Sequence, residues 1–165
     1  MPRYVRQWDD FSCGPIAILN ALKWAGVRAS IKRDYKRLLV LTKCSFPNGV
    51  CRFYLAPALY KNREFFVRRP RGATMRTVEN HLRSGGVVLL SYGIYGDGKR
   101  RGHYTLLTRV SETGRSFTTI NYYVGHTVCL IRRSSVVRDI RRRKMNGHWY
   151  PCVWLISKKV KKARA

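Results

Sequence analysis

Acidic residues are scarce in this chain of 165 residues. Asp and Glu total 8 against 34 Lys and Arg, which makes the formal net charge +26. A positive field of this size attracts polyanions whatever the fold. Nucleic acid, an acidic protein and an anionic surface all remain open as partners. The alternative is a solvated basic coat that serves no dedicated partner.

Long apolar runs are also missing. No segment approaches the ~20 residues that span a bilayer, and residues 1–7 lack the apolar stretch of a signal peptide. Hydrophobic residues nevertheless make up 45% of the chain, more than a disordered tail would carry. We therefore expect a cytoplasmic protein with no membrane span. One domain would cover residues 1–157, followed by a frayed basic tail at residues 158–165.

An even set of cysteines is missing as well, since the cysteine count is 5 and at least one thiol must stay unpaired. Without a secretory signal, an odd count argues against a disulfide framework. Cys44 and Cys51 are too far apart for a zinc knuckle, and Cys129 and Cys152 stand alone. Buried free thiols are the better interpretation, so we expect neither a metal nor a cofactor.

Helical patterns come first along the chain and strand patterns follow. Ser12 suits an N-cap and precedes a dense apolar run that ends at Gly26. Further helices are predicted over residues 30–42, from Thr74 to Gly85 and over residues 134–144. Strands are predicted over residues 64–68, 87–92, 103–110, 116–123 and 148–157. This order indicates an α+β fold.

Cys13 lies where a thiol becomes reactive, at the N-terminus of the first predicted helix. Unpaired amides and the positive end of the helix dipole stabilise a thiolate there, which lowers the cysteine pKa. None of the other cysteines begins a predicted helix. A small buried residue that happens to begin a helix is the structural alternative, and this position alone does not exclude it.

His103 is the candidate base that a thiolate nucleophile requires. It follows a glycine-rich loop, residues 93–102, and opens a predicted strand that would hold its ring rigidly at the sheet edge. Asn121 ends the next strand, where its amide could accept a hydrogen bond from the imidazole. If Asn121 does not fill this role, Asp97 in the loop is the next candidate.

These residues occur together in a recognisable order. The segment Gln7-Trp8-Asp9-Asp10-Phe11-Ser12-Cys13-Gly14-Pro15 resembles the active-site opening of papain-like cysteine peptidases. It is similar in particular to the bacterial peptidases that trim double-glycine leader peptides, and to their stand-alone relatives. Gly102-His103 before an apolar strand, and Asn121 after the following strand, match the same family in order.

The resemblance implies a papain-like fold, with N-terminal helices packed on a C-terminal antiparallel sheet. It also implies a peptidase with Cys13 as nucleophile, His103 as base, Asn121 as orienting residue and Gln7 as oxyanion donor. A protein or peptide would be the substrate. Two features depart from the leader peptidases: Asn121 stands where they usually have Asp followed by Pro, and the excess of Arg and Lys is foreign to them.

Two other classes of function stay open. A nucleic-acid-binding protein on the same scaffold would explain the charge, and its preferred contact surface would be the basic helix with Arg138, Arg141, Arg142, Arg143 and Lys144. A Cys-dependent amidase or acyltransferase would use the same catalytic residues on another acceptor, because fold and triad do not distinguish these reactions from proteolysis.

Overall fold

The computed structural model describes residues 2–46, 49, 52–71, 73–96, 99–123, 125–141, 144–145, 148–149 and 152–159. The helices of this part are α1 (Cys13–Trp24), α2 (Lys36–Leu41), α3 (Arg52–Tyr60), α4 (Met75–Arg83) and α5 (Arg133–Arg141). A π-helical turn, Ile31–Tyr35, runs directly into α2.

Antiparallel strands form the centre of the molecule. They are β1 (Phe65–Arg68), β2 (Val87–Gly96), β3 (Lys99–Val110), β4 (Ser116–Ile120), β5 (Val128–Arg132), β6 (Lys144–Met145), β7 (His148–Trp149) and β8 (Cys152–Lys158). The main sheet has six strands in the order β1-β8-β2-β3-β4-β5, while β6 and β7 pair separately. Strands β1 and β5 are therefore the two edges of the main sheet.

Both faces of the main sheet are covered by helices. Along β2, Val87 and Leu89 pack into the cluster that contains α1 and α3. The alternate residues Val88, Leu90 and Tyr92 pack into the cluster that contains α4 and α5. Because successive strand residues point to opposite faces, β2 reads as a continuous apolar run instead of an alternating one.

Helix α1 is the central helix of the first cluster. All its residues from Cys13 to Leu22 are buried, so the helix has no polar face. It ends as predicted before Gly26, whose φ of 92° lies in the left-handed region that glycine tolerates. The predicted α1 and α4 are confirmed, and none of the described helices is long and apolar enough to cross a membrane.

Three elements differ from the sequence prediction. Helix α3 was not expected, because Pro57 within it indicates a helix break. Strand β5 was missed, since its exposed edge position leaves no buried alternation strong enough to detect. His103 does not open a strand: the glycine-rich stretch before it pairs as a hairpin, so that His103 lies within β3 opposite Tyr92.

His81 connects α4 to the sheet. Its Nε2 atom lies 3.0 Å from the carbonyl oxygen of Ile156. A Cβ atom added at Gly86 would lie 2.2 Å from the same Nε2. Glycine at position 86 is therefore required by the close approach of the histidine ring.

We expect Gly86→Ala to lower the free energy of unfolding by about 1–3 kcal/mol, the usual cost of overpacking. Removing the ring removes the clash, so Gly86→Ala combined with His81→Ala should cost less than the sum of the two single changes. Urea denaturation of the four proteins in this cycle measures the coupling. Strict additivity would contradict the close contact.

Candidate active site

A turn closed by Asp9 presents Cys13 at the start of α1. The Asp9 Oδ1 atom accepts hydrogen bonds from the main-chain N–H groups of Phe11 at 3.0 Å and Ser12 at 2.6 Å. Its Oδ2 atom accepts one from the Tyr35 hydroxyl at 3.2 Å. Ser12 occupies the predicted N-cap position, but its side chain makes no capping bond. Asp9 instead satisfies the unpaired N–H groups of this helix entry.

The Cys13 sulfur is buried beside β3. Burial raises the pKa of the Cys13 thiol to about 11, while main-chain N–H groups of Tyr104, Gly14 and Cys13 itself lower that pKa and the charge of Asp9 raises it. The position at the helix N-terminus predicted a lowered pKa for Cys13, and this prediction is wrong. Loss of hydration raises the pKa by more than the hydrogen bonds from main-chain amides lower it. The contact with Tyr104 places the sulfur next to the residue that follows His103.

His103 is buried and oriented by main-chain chemistry. Its Nε2 atom lies 2.8 Å from the main-chain oxygen of Asn121, and its ring meets Tyr92 edge-on with centroids 5.4 Å apart. Burial lowers the pKa of His103, which favours the neutral ring. A carbonyl oxygen can only accept, so Nε2 carries the proton and Nδ1 keeps its lone pair. The nitrogen that can accept a proton is therefore Nδ1.

The Asn121 side chain bonds to the N-terminal segment, and among the described residues it is the Asn121 main-chain oxygen, not the amide considered from the sequence, that lies within hydrogen-bond distance of the imidazole. Its Oδ1 atom accepts from the main-chain N–H of Gln7 at 3.2 Å, and its Nδ2 atom donates to the Val5 carbonyl at 2.8 Å. The main-chain φ of Asn121 is 54°, a left-handed conformation that asparagine tolerates better than most residues. Asn121 thus connects the imidazole, through its carbonyl, to the N-terminal segment, through its amide.

A second amide holds the same segment from the other side. Asn20 in α1 accepts from the Val5 N–H at 2.7 Å and donates to the Val5 carbonyl at 3.0 Å. Asn20 and Asn121 are both buried. Together they satisfy a buried main-chain segment as neighbouring strands would.

Gln7 follows Val5 by two residues along this segment, and its exposed fraction is 1%. Its Nε2 atom donates to the Asp9 carbonyl at 2.5 Å, which defines the amide orientation because an oxygen there would face another oxygen. Nε2 carries a second hydrogen that this bond does not use. The predicted oxyanion donor therefore lies against the turn that precedes Cys13.

Three contributors to this site were missed by sequence reasoning: Asp9, Asn20 and the main chain of Tyr104. Asp9 had a detectable signal, since an Asp two to three residues before N–H groups at a helix start is typical of local capping. Asn20 had none, because an asparagine inside an apolar helix gives no indication of its partner. The Tyr104 contact is made by main-chain atoms, which every residue has.

Cys44 is a further thiol close to Cys13. Its sulfur lies 3.4 Å from the Phe11 carbonyl oxygen. Burial, followed by the negative charges of ionised Cys13 and of Asp9, raises the pKa of the Cys44 thiol to about 12. Cys44 therefore stays protonated at neutral pH. Within the part of the chain that is described, no cluster of His, Cys, Asp and Glu could hold a metal ion.

The predicted nucleic-acid contact helix is only partly described. Arg138 is exposed on α5 and pairs with Asp139 at 3.0 Å. Arg141 ends α5 and Lys144 begins β6, while Arg142, Arg143 and Asp97 lie outside the described residues. The sequence-based prediction for this helix stays a prediction.

Comparison with known proteins supports the fold. No family model and no curated protein sequence matches the chain. Its structure is similar to the crystal structure of a C39-like peptidase candidate from Bacillus anthracis, with a TM-score of 0.62 over 97% of this chain and 96% of that one. Sequence identity is 11%, so the likeness defines the fold alone. The predicted α+β, papain-like fold is confirmed.

The pKa shifts predict how Cys13 reacts with pH. Because burial raises the pKa of its thiol to about 11, the thiolate fraction should rise about tenfold per pH unit from pH 6 to pH 10. The rate of Cys13 alkylation by iodoacetamide, followed by mass mapping, should rise in the same way. A plateau below about pH 8 that disappears in His103→Ala would instead show a thiolate–imidazolium pair.

Proposed function

We propose that this protein is a cysteine peptidase with Cys13 as nucleophile and His103 as general base. The supporting observation is the hydrogen bond from His103 Nε2 to the Asn121 carbonyl, 2.8 Å long. It leaves Nδ1 as the proton acceptor, while the Cys13 sulfur lies against the main chain of the adjacent residue, Tyr104. A nucleophile and a base that can accept its proton are the minimum that acyl transfer requires.

Proton transfer comes first in this mechanism. Thiol and imidazole are both neutral at rest, so His103 Nδ1 accepts the Cys13 proton as the sulfur attacks the substrate carbonyl. The resulting imidazolium then protonates the departing amine, and the acyl group stays on the sulfur. Water, deprotonated by His103, releases the acid and restores the thiol.

Negative charge on the carbonyl oxygen would be stabilised by two donors. The free hydrogen of Gln7 Nε2 and the main-chain N–H of Cys13 are the candidates, and such a donor contributes about 3 kcal/mol to the transition state. Asp9 and Asn121 hold Gln7 in place through its side chain and its main chain respectively. They act as positioning residues in this scheme.

Exposed aromatic rings beside the nucleophile suit a peptide substrate. Trp8 is 53% exposed and packs edge-on against Tyr35, and Phe46 is 80% exposed and packs edge-on against Phe11. Trp8 directly precedes Asp9, which closes the turn before Cys13, and Phe46 packs on Phe11 within that turn. Both rings offer exposed apolar surface to the side chains of a peptide.

An amidase or acyltransferase reaction would use the same residues. In a peptidase, water accepts the acyl group; in an acyltransferase, an amine or alcohol does. Mass analysis of the products separates hydrolysis from acyl transfer, because each acceptor adds a different mass to the acyl fragment. The amine that is released separates an amidase from a peptidase.

Incubation with a mixed peptide library tests the proposal. Cys13→Ala and His103→Ala should abolish cleavage, and Gln7→Ala should lower kcat by about 10²–10³-fold, the usual cost of one oxyanion donor. Cys129→Ala, a change at a partly buried thiol on β5, is the control and should retain full activity. Cleavage that persists in Cys13→Ala would remove Cys13 from the mechanism.

Asn121 can be tested apart from the imidazole it contacts. Asn121→Gly keeps the positive φ and the carbonyl that accepts from His103, but it releases the Gln7 main chain. We therefore expect kcat to fall about as far as in Gln7→Ala, with the pH dependence of kcat unchanged. A shift in that pH dependence would show instead that the Asn121 side chain acts on the imidazole.

A further inference from the structure

Most described carboxylates are already used inside the protein. Asp9 closes the turn before Cys13, and Asp34 accepts from the Ser30 N–H at 2.6 Å. Glu79 pairs with Arg133, and Asp139 accepts from the Tyr122 hydroxyl. Few acidic groups therefore remain to neutralise the 34 Lys and Arg of the chain. The positive charge of the Lys and Arg therefore faces solvent and can attract an anionic ligand.

One edge of the main sheet concentrates this charge. The β1 edge surface consists of exposed basic residues before, within and after β1, together with those at the end of β8: Lys61, Arg63, Arg68, Arg69, Arg71, Arg76, Lys158 and Lys159. Lys158 pairs in register with Phe65, and the Lys159 ammonium lies 5.1 Å from the Phe66 ring centroid. Glu64 is the one acidic residue in the stretch 61–76.

A cavity of about 420 Å³ lies between β1 and α4 on this surface. Arg68 from the strand and Arg76 from the helix line it together. Thr74 and Thr77 also line it, but their hydroxyls bond to each other and accept from main-chain N–H groups in a capping box at the helix start. No carboxylate is among its lining residues, and neither arginine forms an ion pair within the part of the chain described. Guanidinium groups are donors that hold phosphate oxygens, and here two of them face one cavity.

Phe66 adds an aromatic ring to the same surface. It is 62% exposed, and the two-residue period of the strand places it on the same face as Arg68. An exposed ring surrounded by cations offers a flat surface on which a nucleobase can stack. Phosphate donors beside a stacking ring are typical of proteins that bind single strands, since bases within a duplex do not expose their faces.

We propose that the β1 edge surface binds single-stranded nucleic acid, with Arg68 and Arg76 on the phosphates and a base on Phe66. This surface is separate from the proposed active site. Lys158 contacts Trp24 at the last turn of α1, whereas Cys13 begins that helix. Binding and catalysis therefore use different residues, and one can fail without the other.

The other sheet edge supplies a matched control. Charged residues also protect edge strands from pairing with other chains, which would account for the β1 arginines without any ligand. Arg115 and Arg132 are exposed at the β5 edge and line another open cavity, but they lie beside Glu79 and without an exposed aromatic ring. Replacing two arginines at each edge removes the same charge from both. The comparison shows whether binding is specific to the β1 edge surface or is spread over the basic surface.

The experiment is fluorescence anisotropy with a labelled oligothymidine of about 16 nucleotides, titrated from about 50 to about 200 mM salt. Arg68→Ala with Arg76→Ala should weaken binding at least tenfold and reduce the salt slope by about 1.4, the share of two phosphates on a single strand. Phe66→Ala should weaken binding about tenfold with the slope unchanged, and Phe66→Trp should restore it. Arg115→Ala with Arg132→Ala should change affinity less than about twofold.

Each other result overturns the proposal. No complex at the lowest salt removes nucleic acid as a ligand, and equal losses at the two edges show that binding is spread over the surface. An unchanged affinity in Phe66→Ala removes the stacked base. Displacement by polyglutamate as effective as by unlabelled oligothymidine identifies an acidic protein segment as the ligand. Thermal melting of every variant verifies that the fold is retained.

Discussion

The buried amides of Asn20 and Asn121 hold the N-terminal segment against the sheet, and the candidate site depends on this contact. Val5 is bonded to both side chains, and Gln7 is bonded to Asn121 through its main-chain N–H. Buried main-chain groups without such partners would cost free energy comparable to lost hydrogen bonds. Satisfying them here also positions Gln7, the turn closed by Asp9, and Cys13, whose sulfur lies next to Tyr104 within β3.

Burial then determines the resting chemistry of the site. It raises the pKa of Cys13 and lowers the pKa of His103, so both groups favour their neutral forms. A neutral pair in an enclosed site reacts only when the proton can pass from sulfur to nitrogen. The carbonyl of Asn121 makes this transfer directional, because it occupies Nε2 and leaves Nδ1 as the acceptor.

The sheet separates this chemistry from the basic surface. Cys13 and α1 cover one face, while the edge strand β1 and the start of α4 carry the clustered arginines and Phe66. The sequence indicated an unusual positive charge but favoured the helix that contains Arg138 as its contact surface. Residues 61–76 are equally basic, yet only the pairing of β1 with β8 and its closeness to α4 bring Arg68, Arg76 and Lys159 onto one surface.

Local patterns were sufficient to predict α1, α4 and several of the strands that follow, but not β5, because apolar periodicity and capping act over a few residues. They also made Cys13, His103 and Asn121 candidates, while Gln7 was added by the family resemblance. The hydrogen-bond partners of these residues could not be predicted in the same way. Asn121 meets Val5 across 116 positions of sequence, and it contacts His103 through a carbonyl that any residue would provide. Such partners are determined only when the folded chain brings them together, since main-chain atoms are identical at every position and burial is a property of the whole structure.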